Sequence, residues 1–157
     1  MLVIKVILIL VLGFILYQDV KERQVYWFLF PIIALCAGFL FFFKTLSVVF
    51  LASIMLNLIF VSILLLVIFF YTKLKLKTNF KQVFGLGDVL FFFAIAGSFS
   101  SISFMVIFTS ALIFSLAIHL LLKSNVQSVP LAGYMSLFFG LTYLGFWTGL
   151  INSVYQI

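Results

Sequence analysis

The sequence predicts an all-α fold: a polytopic membrane protein with about six transmembrane helices in one bundle. Three observations predict it. The chain of 157 residues is 67% hydrophobic and only 8% charged, with a mean hydropathy of +1.44, where a water-soluble domain carries about 25% charged residues. No water-facing surface can be built from that composition, so the solvent is lipid. The apolar residues fall in long runs divided by short polar breaks, and the basic residues gather in alternate breaks.

Taken in order, the runs place helices at roughly 2–18, 26–43, 46–71, 87–99, 102–122 and 130–151. The first run follows Lys5 as a secretory leader would, but it passes into "LYQDVKER" without a small-residue cleavage site, so it reads as a retained helix. Six spans result, though the fourth is short. The fourth is about a dozen residues, short of the ~20 a crossing needs at ~1.5 Å per residue. Either it starts below the lipid surface or the backbone before it dips inward, and irregular backbone at that depth survives only against protein or water. The fourth helix is therefore expected to border a polar pocket. The length suits a single integral-membrane domain over 1–157, with no repeat and no linker.

The charges set the topology. Of nine basic residues, Lys21 and Arg23 lie in the first break, Lys73, Lys75, Lys77 and Lys81 in the third, and Lys123 in the fifth; Lys5 and Lys44 lie on the other side. Breaks one, three and five then face the cytoplasm and both termini face out, giving a multi-pass protein of the cell (inner) membrane. The formal charge of +6 points to anionic lipid head groups rather than nucleic acid, because the basic residues sit in short tracts between apolar runs. Cys36 is alone, so no internal disulfide or CxxC metal site can form, and no cofactor or metal is expected.

The chain has three acids, Asp19, Glu22 and Asp88, and all three fall on the cytoplasmic side. Asp19 ends the first helix and Asp88 begins the fourth. Either aspartate alone is explained as well by a helix end among head groups as by function. Two on one face of so acid-poor a chain favour function, since ionisable groups beside lipid are costly. Two carboxyl groups that approach closely share one proton. The ionised member can then take a proton from water while the protonated one polarises a peptide carbonyl, which is aspartic-protease chemistry. The glycines of "GLGD" fit the same chemistry. Without a Cβ, Gly85 and Gly87 let an extended substrate backbone lie beside Asp88, although the same glycines also make an ordinary turn into a helix.

Three motifs, in order, resemble those of the type IV prepilin peptidase family, the GxGD-type aspartic membrane proteases. "DVKERQV" at 19–25 is similar to the family's first-aspartate motif, "GLGDV" at 85–89 to its GxGD motif, and "VPLAGYMSLFFG" at 129–140 to the proline-containing opening of its last helix. The resemblance implies an endopeptidase that cuts the leader from prepilin-like precursors at the cytoplasmic boundary, with Asp19 and Asp88 as the dyad and pilus or secretion machinery as its setting. Tyr26 and Trp27 stand where many members have Pro-Asn, and Leu90 where a lysine is common. The cysteine-rich insert of the methylating members is missing, so the resemblance implies peptidase activity without methyl transfer.

The remaining polar residues have plainer readings. Asn57, with Ser53 and Ser62, suits interhelical hydrogen bonding; His119 suits an interfacial position; Tyr17, Tyr26 and Trp27 suit an aromatic belt. The third-break lysines suit lipid heads, and they would repel a basic leader, which leaves Glu22 as the acid to receive it. Two other functions fit the same aspartates: a transporter subunit using them for ion coupling, and a catalytically inactive scaffold of a pilus or secretion system. Coupling sites lie near the midplane, which these residues do not. The presenilin-like GxGD proteases are longer and carry their aspartates in later helices, so they fit poorly.

Overall fold

The computed structural model describes residues 1–76, 85–122, 129–150 and 155. These form six α-helices: α1 (Leu2–Glu22), α2 (Leu29–Phe42), α3 (Ser47–Tyr71, continued by the π-helical turn Thr72–Leu76), α4 (Leu86–Ile95), α5 (Ser101–Leu121) and α6 (Leu131–Trp147). No strand occurs among the described residues. The protein is an all-α membrane bundle. Three stretches, Leu2–Glu22, Ser47–Leu74 and Ser101–Leu121, are long and apolar enough to cross a bilayer, while α2, α4 and α6 are shorter apolar helices. Lys77, Lys81 and Lys123 lie outside the described residues, as do the chain segments that would connect α3 to α4 and α5 to α6.

Each expected run is a helix, with differences at the ends. The first helix continues past 18 to Glu22, so Asp19 lies inside its last turn. It stops where Arg23 takes a left-handed conformation, φ 56°, uncommon for a residue with a Cβ. The buried Gln18 then holds the outgoing chain, its Oε1 accepting the Tyr26 N–H at 3.3 Å. The fourth helix stops at Ile95 instead of 99, because the sequence "AGSFS" at 96–100 supplies glycine and serine rather than helix formers.

Helix α4 has 10 residues, or about 15 Å of rise, half the ~30 Å of a hydrocarbon core. The stretch before it, 77–84, where the backbone was expected to dip inward, lies outside the described residues, and non-helical backbone follows the helix at 96–100. Ala96, Ser98, Phe99 and Ser100 are all buried, so the exposed polar backbone of this turn is kept from lipid, as it must be. Asn57, at the middle of α3, does much of that work. It is fully buried, and its Nδ2 donates to the carbonyls of Ala96 at 2.8 Å and Phe99 at 3.1 Å. The interhelical role read for Asn57 is thus present. Ser53 is buried on the same helix, whereas Ser62 faces outward.

Packing follows the same economy. Helix α1 lies along α6 and α2, α5 lies along α6, and α2 and α3 close around α4. Leu8, Leu12 and Ile15 of α1 meet a core that includes Phe91, Phe92, Phe104, Phe108, Met135 and Phe139, while Leu2, Leu10, Leu35 and Val48 stand on the outside. Helices apolar all round belong in lipid. Lipid tails are as apolar as leucine, so close packing and internal hydrogen bonds, rather than burial from water, hold such a bundle together. Edge-on ring contacts such as Phe92–Phe108, with centroids 4.8 Å apart, are part of that packing.

Removing Asn57 tests this account of the turn. Asn57→Leu leaves the Ala96 and Phe99 carbonyls without their donor, so unfolding in detergent should cost about 0.6–1.7 kcal/mol less than for the native chain. Unchanged stability would show that the turn does not depend on Asn57.

Candidate active site

The sixth helix begins after Pro130, which has no side-chain cap to offer. The first N–H groups of a helix have no partner within it, and in lipid each would be costly. Here every one is accounted for. Leu131 N–H donates to the Val129 carbonyl at 2.9 Å, and Tyr134 N–H starts the helical ladder on Pro130 at 3.1 Å. The two between them go to side chains of other helices. Ala132 N–H donates to Asp88 Oδ1 at 2.8 Å, and Gly133 N–H donates to Asp19 Oδ2 at 2.6 Å. Two aspartates far apart in sequence together cap one helix.

This geometry brings Asp19 and Asp88 to the same end of the bundle. Consecutive amide nitrogens are held within about 4 Å by bond lengths, so the two bound carboxylate oxygens lie within roughly 9 Å of each other. The two carboxyl groups are within electrostatic reach of one another, and Arg23 is within reach of Asp19. Asp19 is 9% exposed and Asp88 half-buried. Asp88 occupies the first turn of α4, and the Gly85 N–H also serves its carboxylate, as the acidic arm of a capping box does. Charge-assisted bonds of this kind are stronger than neutral ones, so both side chains are held in fixed positions.

The glycines take distinct places. A Cβ on Gly85 would stand 3.1 Å from Asp88 Oδ2, so this residue makes room for the carboxylate itself. At Gly87 a Cβ would meet only the Phe30 ring, at 3.8 Å, an ordinary packing distance against α2. Glu22 is exposed on the last turn of α1, one turn beyond Asp19. Tyr17, Tyr26 and Trp27 are exposed, and Lys21 Nζ donates to Tyr17 Oη at 2.6 Å. His119 is half-buried in the last turn of α5 with its Nδ1 unpartnered among the described residues. No group of three or more His, Cys, Asp or Glu able to hold a metal occurs among the described residues.

Sequence reasoning missed Ala132, Gly133 and Gln18. The first two act through backbone N–H groups, which no side-chain pattern reveals. The signal available was the proline immediately before "LAG", marking a helix start with nothing of its own to cap it. Gly133 has a second role. A Cβ there would lie 3.0 Å from Asp19 Cβ and 3.1 Å from its Oδ2, so α1 and α6 can approach at this level only because the side chain is missing.

No family model, curated protein or solved structure matches the chain.

Two substitutions separate architecture from chemistry. Gly133→Ala should destabilise the bundle by about 1–3 kcal/mol through overpacking and shift the Asp19 carboxyl infrared band. Gly140→Ala, with nothing within 4 Å of its Cβ, should not destabilise. Equal stabilities would refute the close contact. Asp19→Leu should lose about 1–3 kcal/mol by leaving the Gly133 N–H unsatisfied, whereas Asp19→Asn keeps an acceptor oxygen and should unfold near the native midpoint in the same detergent titration.

Proposed function

We propose that the protein is a membrane aspartic endopeptidase that cuts the leader from prepilin-like precursors at the membrane boundary, using Asp19 and Asp88. The observation that supports this reading is the pairing of both carboxylates on adjacent amides of one helix start, 2.8 and 2.6 Å from their donors. Such a pair, positioned by backbone rather than by flexible partners, supplies what hydrolysis without a metal or a covalent nucleophile requires. The motif resemblance supports the substrate class.

In the proposed reaction one carboxyl group carries a proton and the other is ionised. The ionised group takes a proton from water as the water oxygen adds to the peptide carbonyl carbon. The protonated group gives its proton to the carbonyl oxygen, forming a gem-diol. The C–N bond then breaks. Its nitrogen takes the proton now held by the first carboxyl group, and a gem-diol hydroxyl returns a proton to the second. The products are a carboxylic acid and an amine, and the pair is restored. Asp88 and Asp19 titrate as a unit in such a scheme. Gly85 leaves Asp88 free of crowding, and Glu22 offers a negative charge for a basic leader.

Purified protein in detergent should cleave a precursor whose lysine-rich leader precedes an apolar helix. Asp19→Asn and Asp88→Asn should each lower the rate by about a thousandfold or more, since paired catalytic groups act as a unit. Chelators should have no effect, and no methyl group should pass to the new N-terminus. Near-native cleavage by either Asn variant would remove the peptidase reading. Proton-coupled ion uptake that depends on both aspartates, without cleavage, would replace it with the transporter.

A further inference from the structure

Below the paired carboxylates, along the α1–α6 seam, runs an apolar groove of about 120 Å³. Its walls include Leu12, Gly13 and Leu16 of α1 and Leu137, Gly140 and Leu144 of α6. Among the described residues the only polar wall residue is Ser136, whose hydroxyl is already donated to the Gly133 carbonyl at 2.7 Å. Added Cβ atoms at Gly13 and Gly140 would meet nothing within 4 Å, so both glycines border open space that this chain leaves unfilled.

The groove is aligned with the candidate site. At about 100° per residue, Leu137, Gly140 and Leu144 fall within roughly 40° of Gly133, and Leu12 and Leu16 within roughly 60° of Asp19, while Gly13, about 120° from Asp19, forms the outer edge of the groove. The groove starts about 5 Å from the level of Asp19 and extends to about 15 Å. A chain lying in it therefore points toward the Asp19–Gly133 contact. A larger groove of about 440 Å³, between α2, α3 and α4, lacks this relation. Its α4 wall residues, Phe93 and Ala94, are turned about 120–140° from Asp88, which leaves α4 between that groove and the carboxylates.

We infer that the α1–α6 groove receives the apolar, membrane-embedded helix that follows the scissile bond of a peptide substrate. The inference rests on the peptidase reading and assigns the part of the substrate that the aspartates do not touch. Two features commit the groove to this occupant: it runs in line with the carboxylates from about one helical turn below them, and its free surface is apolar. A substrate helix seated there has its side chains in the space beside Gly13 and Gly140. The preceding peptide bond is then carried up to Asp19 and Asp88.

Disulfide mapping tests the placement without requiring turnover. The full chain carries Gly140→Cys in a background of Cys36→Ser and Asp88→Asn. It is reconstituted in phosphatidylcholine–phosphatidylglycerol vesicles with a synthetic peptide bearing a lysine-rich leader and an apolar helix of about 20 residues. Single cysteines are stepped along that helix. Gly140 is seven residues beyond Gly133, so crosslinking should peak with the peptide cysteine about seven residues past the leader junction. It should exceed by at least tenfold the yield from Ala52→Cys, on the exposed face of α3. A yield at Gly140 no greater than at Ala52, a peak that ignores the register, or a disulfide only between two copies of the chain would overturn the inference.

The two readings fail separately. Native protein that cuts the precursor, together with no register-specific crosslink, leaves the peptidase and removes the groove. A register-specific crosslink with no cutting by native protein supports the groove as a helix-docking site and removes the peptidase.

Discussion

The start of helix α6 is the constraint around which this bundle is arranged. A helix that begins inside a membrane protein presents N–H groups that neither lipid nor its own turn can satisfy. Pro130 contributes no cap, and the donors of Ala132 and Gly133 are met by Asp88 and Asp19. Three helices from distant parts of the chain are thereby fixed at one point. The last turn of α1 and the first turn of α4 must both arrive where α6 begins. The same two hydrogen bonds that complete the architecture set the positions of the only two aspartates in the sequence.

That arrangement asks for close approach, and small residues permit it. Gly133 faces Asp19 where a Cβ would sit 3.0 Å from the aspartate's own Cβ, and Gly85 leaves room for the Asp88 carboxylate. Further down the α1–α6 seam a groove opens beside Gly13 and Gly140, which have no side chains to fill it. The seam is therefore tight at the carboxylates and open below them. Tight contact immobilises the acidic groups, while the open stretch gives an apolar chain a place to lie in line with them.

A second polar problem is solved at the far end of α4. A helix of 10 residues cannot span the bilayer, so the chain must leave helical geometry while still enclosed. The buried turn at 96–100 is served by the amide of Asn57 from the middle of α3. Capping by Asp19 and Asp88 and bridging by Asn57 are the same device: a side chain from one helix supplies the partner that another helix's backbone lacks. In a bundle whose helices are apolar on all faces, these few polar links fix which helices are neighbours, because leucine packs against leucine or lipid almost equally well.

Composition and the spacing of polar breaks were enough to read an all-α membrane bundle and each of its six helices. These signals are local: a run of about 20 apolar residues has few alternatives once its solvent is lipid. The sequence also singled out Asp19 and Asp88, because acids are scarce here and both stand at helix ends on one side. It misplaced the ends of α1 and α4, where the left-handed Arg23 and the glycine and serines of 96–100 turn the chain, and where Asn57 from α3 completes the second turn. That the two carboxylates meet was expected from the motif resemblance, but what holds them together was beyond the sequence. Their partners are backbone N–H groups of Ala132 and Gly133, identical in chemistry to those of any other residue, and only the packing of α1 and α4 against α6 decides that these two are the ones left to be capped.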